Sequence, residues 1–217
     1  LAKRIEMYKK NKERFSYVQC ANDMKKLKSE LKWLKEVDST ALQSSLRDLD
    51  VAYQKFFKEH SGYPKFKSKK THRYSYKSKC TNGNIQYCNK YIKLPKLGIV
   101  KTKNKLVPQG RILNATVSQE PSGKYYVSIL VETEHKELVH TTGRIGIDLG
   151  IKDLCITSDG KIYENLKIIR KYEKQLVKLQ RQLSHKEKRS KNYYKTKKKI
   201  ALCHEKIRNS RKDYLHK

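Results

Sequence analysis

No apolar run in this 217-residue sequence is long enough to span a bilayer, and no segment has the strongly amphipathic pattern of an interfacial anchor. A membrane role is therefore excluded as the reason for its charge. The opening residues Leu1-Ala2-Lys3-Arg4 lead into a polar stretch rather than an apolar leader, so cytoplasmic residence is the expectation. Five cysteines (Cys20, Cys80, Cys88, Cys155 and Cys203) are scattered, with no C-x-x-C pair. Cys80 and Cys88 could supply half of a metal site at most, so zinc is not expected here, and reduced structural thiols are. Acidic residues are also scarce, with 21 against 52 Lys and Arg and a formal charge of +31. That excess is far beyond what solubility requires and calls for a polyanionic partner, for which nucleic acid is the natural reading. Lysine far outnumbers arginine, which suits phosphate contact better than bidentate reading of base edges.

What is present is organised in blocks. Residues 1–60 read as helical: Met24, Leu27, Leu31, Leu34 and Val37 recur at three- and four-residue spacing. Asp38-Ser39-Thr40 then offers an N-cap to a second stripe, Leu42, Leu46, Leu49, Tyr53, Phe56 and Phe57. Ser61-Gly62-Tyr63-Pro64 ends that helix. Residues 61–142 change to short alternating runs such as His72-Arg73-Tyr74-Ser75-Tyr76-Lys77. Asn114 to Glu120 and Lys124 to Glu134 flank Pro121-Ser122-Gly123, which predicts a hairpin. Several short strands at close spacing predict a small β-barrel or curved sheet. Tyr63, Phe66, Tyr74 and Tyr76 are interleaved with Lys65, Lys67, Lys69, Lys70 and Arg73, a pattern suited to base stacking beside phosphate contacts. Filling the sheet core is the competing use for these rings.

The third block, 143–217, holds the most informative segment: Arg144-Ile145-Gly146-Ile147-Asp148-Leu149-Gly150. Alternation places Ile145, Ile147 and Leu149 on one face, fit for burial, and Asp148 on the other between two glycines. Asp is depleted in strands, so its place there needs a reason. Three readings compete: a metal ligand of an RNase-H-like nuclease, the first phosphate loop of a sugar-kinase or chaperone-type ATPase, and a turn cap. The continuation Ile151-Lys152-Asp153-Leu154 lacks the hydroxyls that line phosphates, which weakens the ATPase reading. Strands are predicted at Arg144 to Leu149, Leu154 to Thr157 and Lys161 to Tyr163, with a tight turn at Ser158-Asp159-Gly160. Antiparallel neighbours with an acid on the first strand fit the opening of an RNase-H-like fold. A helical hairpin follows, with Ile169, Tyr172, Leu176, Leu179 and Leu183 on one helix and Ile200, Cys203, Ile207 and Tyr214 on the other. Residues 161–217 carry 20 Lys and Arg against five acids, a one-sided track for a phosphate backbone. Lys186, Lys188, Arg189, Lys191, Lys197, Lys198 and Lys199 are its candidate contacts; a solvated charged face is the plainer alternative.

Four blocks, in order along the chain, resemble the OrfB/TnpB family of insertion-sequence proteins, relatives of the type V CRISPR effectors. They are Ala41-Leu42-Gln43-Ser44-Ser45-Leu46-Arg47-Asp48-Leu49-Asp50, Gly62-Tyr63-Pro64-Lys65-Phe66-Lys67, Gly146 to Leu154 with Ser158-Asp159-Gly160, and Leu202-Cys203-His204-Glu205-Lys206-Ile207 through Arg211-Lys212-Asp213-Tyr214-Leu215-His216-Lys217. The resemblance implies an α+β protein with a helical recognition segment (1–60), a wedge-like β-barrel (61–142), and the first part of a RuvC (RNase-H-like) nuclease domain with its helical hairpin (143–217). It also implies a transposon-encoded, Mg-dependent DNA endonuclease guided by RNA, cutting beside a short transposon-associated motif in a prokaryotic nucleoid. Guide RNA and target DNA are the implied partners, and Asp148 matches the first of three catalytic, Mg-binding acids. The family's second catalytic Glu, its four-cysteine zinc ribbon and its third catalytic Asp are expected beyond Lys217, and its first barrel strand ahead of Leu1. Two-metal hydrolysis needs several carboxylates holding ions roughly 3.5–4 Å apart. The expectation is therefore that these 217 residues bind nucleic acid and by themselves cut nothing. A nuclease-dead regulator of the same family and an unrelated basic RNA-binding protein are the alternatives.

Overall fold

Local capping decides where the first helices begin. In the computed structural model, which describes residues 1–12, 16–68, 74–103, 109–134, 137 and 142–216, helix α1 spans Ala2–Asn11 and α2 spans Tyr17–Glu30. Ser16 and Gln19 cap α2 reciprocally: the Gln19 amide N–H donates to Ser16 Oγ at 3.3 Å, and the Ser16 N–H donates to Gln19 Oε1 at 2.6 Å. The stripe from Met24 to Val37 is not one helix. Leu31 leaves helical geometry (φ −102°, ψ 88°) and a short 3-10 helix, Lys32–Lys35, turns Leu34 into the interior. Helix α3, Ser39–Lys58, starts on Asp38 as the sequence predicts.

Strand β1 is Tyr74–Lys79, β2 Gln86–Cys88, β3 Tyr91–Leu94, β4 Gly98–Lys101, β5 Arg111–Gln119 and β6 Tyr125–Glu132. They form two antiparallel three-stranded sheets, β1-β5-β6 and β2-β3-β4. Gly110 precedes β5 at φ +112°, where a Cβ would run into the Glu132 carbonyl, so only glycine lets β5 begin against the end of β6. Ile85, Ile92, Leu94 and Ala115 make the core, packed round by Ile112, Val117, Val127 and Ile129.

The expected small β-barrel is corrected here. Among the described residues the strands do not close: β1 and β6 end one sheet, β2 and β4 end the other. Closure requires every edge to find a partner and a consistent stagger, and strands of three and four residues offer too few ladder bonds for that. The fold is α+β with five α-helices and small antiparallel sheets among the described residues.

The chain divides into two compact units, one of residues 1–120 and 125–134, the other of 121–124 and 135–217. In the second, β7 (Ile147–Asp148), β8 (Asp153–Thr157) and β9 (Ile162–Glu164) form a third antiparallel sheet. Helices α4 (Ile168–Ser184) and α5 (Lys191–Leu215) pack against each other, with Ser190 capping α5 through Tyr193 N–H at 3.1 Å. Apolar side chains that the alternation marks for burial stand in the open: Ile145, Ile147 and Leu149 are all more than half exposed, and so is the neighbouring Ile151. An open groove of about 430 Å³, lined by Ile151, Leu154, Leu166, Ile169, Tyr214 and Leu215, continues that apolar surface beside the helices. Among the described residues, no helix is long and apolar enough to cross a membrane.

Candidate nucleic-acid interface

Asp148 ends β7, the shortest strand, and its neighbours hold it from two sides. Two residues back, the Gly146 N–H donates to Ser158 Oγ at 3.0 Å and the Gly146 carbonyl accepts from the Ser158 N–H at 2.9 Å. Ser158 belongs to the turn Ser158-Asp159-Gly160, where Gly160 takes φ +80°. That turn is braced by Asp159, which accepts from the Thr157 hydroxyl and pairs with Lys161 at 3.0 Å. The Thr157 hydroxyl, then Lys161, hold the Asp159 carboxyl below its ordinary range. On the other side, Asn165 Nδ2 donates to the Ile151 carbonyl at 3.0 Å, and its Oδ1 accepts from the Lys167 N–H at 3.1 Å. The loop after Asp148 is thus tied to the start of α4. The sequence marks Ser158 only as a turn residue; its use as a clamp on Gly146 depends on the β7–β8 register, which brings these distant residues together.

The Asp148 side chain itself is exposed. Among the described residues, no three His, Cys, Asp or Glu side chains gather as a metal centre would need. A Mg²⁺ pair requires several carboxylates and Asp148 brings one, so these residues alone do not fit a two-ion centre.

The candidate basic contacts fall in two places. Lys65 and Lys67 are exposed on the extended segment after α3, while Lys69, Lys70 and Arg73 lie outside the described residues. Lys186, Lys188 and Arg189 occupy the connection between α4 and α5, and Lys191 opens α5 beside them; all four are exposed. Lys197, Lys198 and Lys199 follow on α5, exposed and fanned across successive helical positions rather than aligned on one stripe.

The interleaved rings divide between the two uses. Tyr63 is exposed but packs on other rings: it meets Phe56 edge-on at 5.2 Å and Tyr53 at 5.8 Å, and the Tyr53 and Tyr63 hydroxyls share a hydrogen bond of 3.1 Å. Burial, then that bond, pushes the Tyr53 phenol up to about 12. Tyr76 is half-buried and is likewise pushed up, by burial first and then by Asp38. Phe66 and Tyr74 remain exposed.

A basic α+β chain with an acid at a strand end and a lysine-rich helical pair has counterparts among mobile-element proteins. The OrfB family model of IS605, described as a probable transposase, matches residues 128–217. A relative from Escherichia coli strain K12, InsQ, whose name is that of an RNA-guided DNA endonuclease, is 40% identical over 193 residues, covering 87% of this chain and 46% of its own length. Another from Streptomyces pristinaespiralis, named for the same activity, is 35% identical over 209 residues, covering 94% of this chain and 52% of its own. The chain belongs to the OrfB/TnpB family, and it spans about half the length of these curated relatives.

Proposed function

We propose that residues 1–217 are the nucleic-acid-binding part of an RNA-guided DNA endonuclease encoded by a transposable element. The observation that carries this is the 40% identity to the Escherichia coli relative over 193 residues, nearly the whole chain. The helical residues 1–60 act in recognition and the strands of 61–142 as a wedge. Residues 143–217 contribute the opening of a RuvC-type nuclease domain. Guide RNA and target DNA are the partners, and the excess of 20 basic over five acidic residues in 161–217 supports a phosphate track there. Asp148 serves as one acid of a Mg²⁺ site whose other carboxylates come from outside residues 1–217.

In a protein of the relatives' length, Asp148→Ala is expected to abolish Mg²⁺-dependent cleavage of a guide-matched plasmid while guide-RNA retention on filters stays unchanged. Cleavage surviving in that variant would remove Asp148 from the site. The alternative, a binding-only regulator in which the other acids are lost, is disfavoured by the retention of Asp148. It predicts that a protein of that length never nicks the plasmid, with or without Asp148. The 217-residue chain is expected to bind RNA with log K falling linearly in log salt, about 0.7 per phosphate neutralised on a single strand. A flat salt dependence in an anisotropy titration would count against the phosphate track.

A further inference from the structure

The face of the β1-β5-β6 sheet that joins the core opens at one end. Tyr74 of β1 pairs with Gln119 of β5, and Gln119 pairs with Tyr125 of β6. The three side chains therefore stand in one row across three strands, pointing to the same face. The next row on that face is Tyr76, Val117 and Val127, and the one after is Ser78, Ala115 and Ile129. Ser78 and Ala115 are fully enclosed, at 0% exposure, whereas Tyr74 is 51% and Tyr125 69% exposed. One face thus passes from sealed core to open tyrosines within five residues of strand. The concavity at the open end measures about 310 Å³, lined by Tyr74, Tyr76, Val117, Gln119 and Tyr125. Gln119 Nε2 donates to the Tyr125 hydroxyl at 3.0 Å, which fixes the amide in the row with its carbonyl available to a ligand.

We infer that this row is a base-binding platform for single-stranded nucleic acid, with Tyr74 and Tyr125 stacking on bases and Gln119 hydrogen-bonding a base edge. The inference rests on the proposed nucleic-acid function and adds a site to it. Tyr74 and Tyr125 sit on strands two spacings apart, roughly 10 Å at the backbone. Their rings flank the concavity, and each is more than half exposed. Aromatic rings on an open sheet face are the means by which several RNA-binding folds hold unpaired bases, and stacking tolerates any base. Charge selects the partner. A chain of formal charge +31 draws an anionic strand to an uncharged aromatic floor and repels a basic peptide from it.

The test is a fluorescence-anisotropy titration of the whole 217-residue chain with labelled dodeca-uridylate and with a sugar-phosphate dodecamer that lacks bases. The Tyr74→Ala/Tyr125→Ala variant is expected to bind the uridylate roughly tenfold or more weakly. Its binding of the base-free strand and its salt slope stay as in the parent, because no cation is removed. Tyr74→Phe keeps the parent affinity, since the ring is what stacks, while Tyr125→Phe loses only the smaller part that the Gln119 amide, released from the Tyr125 hydroxyl, contributed. Tyr125→Ala alone, at the most exposed ring, gives a smaller loss of the same kind and does not depend on the double variant folding. Equal affinity of parent and double variant for uridylate would overturn the platform, as would an equal loss for both strands. A change confined to self-association in light scattering would assign the face to a second copy and overturn it too. A parent chain that binds neither strand would overturn the nucleic-acid function first, and the platform with it.

Discussion

Asp38→Ala is expected to destabilise the first unit by roughly 3 kcal/mol, combining a lost helix cap with buried donors left unsatisfied. Asp38 is buried, and its two oxygens accept four hydrogen bonds: Thr40 N–H at 3.2 Å, Ala41 N–H at 3.1 Å, Thr40 Oγ1 at 2.6 Å and Ser78 Oγ at 2.5 Å. The first two cap α3, and the last reaches across to β1. Thr40 Oγ1 also accepts from the Lys79 N–H at 3.1 Å, so the carboxylate organises a junction between helix and sheet. Removing it strands the fully enclosed Ser78 hydroxyl unless Thr40, 3.0 Å away, takes it over. Urea denaturation reads the result as a lower midpoint at unchanged slope. A loss below about 1 kcal/mol would mean that Thr40 has substituted for the carboxylate. The junction also has a pH signature. Burial alone would push the Asp38 carboxyl up, but the bonds from Ser78 and Thr40 outweigh it and hold the group below its ordinary value. A depressed folded-state pKa contributes stability that is present above the unfolded value, about 3.9, and is lost as pH falls through the folded one. Asp38→Asn should flatten that acid limb while keeping a cap; an unchanged limb would place the acid sensitivity elsewhere.

Arg4→Ala should cost roughly 2–4 kcal/mol, because it leaves Asp50 without its cation and removes a stem that fills space between helices. Arg4 is only 8% exposed, unusual for arginine, and one side chain serves three helices. From α1 its Nη2 donates to Asp50 Oδ1 on α3 at 2.9 Å and its Nε to Cys20 Sγ on α2 at 3.4 Å. Its guanidinium also lies 5.3 Å from the centre of the Tyr53 ring. Asp50 keeps one bond from Gln54 Nε2 at 3.1 Å, which places the cost below that of a fully stranded charge. Replacing both partners, Arg4→Met with Asp50→Leu, should recover most of the loss, since paired apolar substitutes avoid desolvation. A double variant as unstable as Arg4→Ala would show that shape rather than charge sets the energy of this cluster.

The parts legible in the sequence are those set by near neighbours. The Asp38 cap, the β5–β6 hairpin around Gly123 and the two basic helices follow from spacing and turn chemistry over a few residues. The stripe from Met24 to Val37 misleads because three- and four-residue spacing is also met when an α-helix passes into a 3-10 turn. Barrel closure was illegible for another reason: alternation reveals strands and faces, while the choice of edge partners is made across long sequence separations. The same limit applies to the site. Asp148 stands out by its place between glycines, whereas Ser158 and Asn165 act through register and backbone bonds that leave no local mark. The described candidate lysines are all exposed, and spacing does not rank one phosphate contact above another.

The uncovered Ile145, Ile147, Leu149 and Ile151 have a calorimetric consequence. Heat capacity rises on unfolding because apolar surface enters water, at about 0.45 cal/K/mol per Å². Side chains that already face water in the folded state add almost nothing to that rise. Among the described residues the second unit buries only Cys203 and Ile207 as apolar core, and α4 buries none. Its unfolding should show a low enthalpy, a broad transition and a shallow dependence of stability on temperature. The first unit, with Ile85, Ile92, Leu94 and Ala115 sealed, should melt in a sharper peak with a larger heat-capacity step. Differential scanning calorimetry of the 217-residue chain would then resolve two transitions of unequal cooperativity, the weaker one tightening when a binding partner covers the strip.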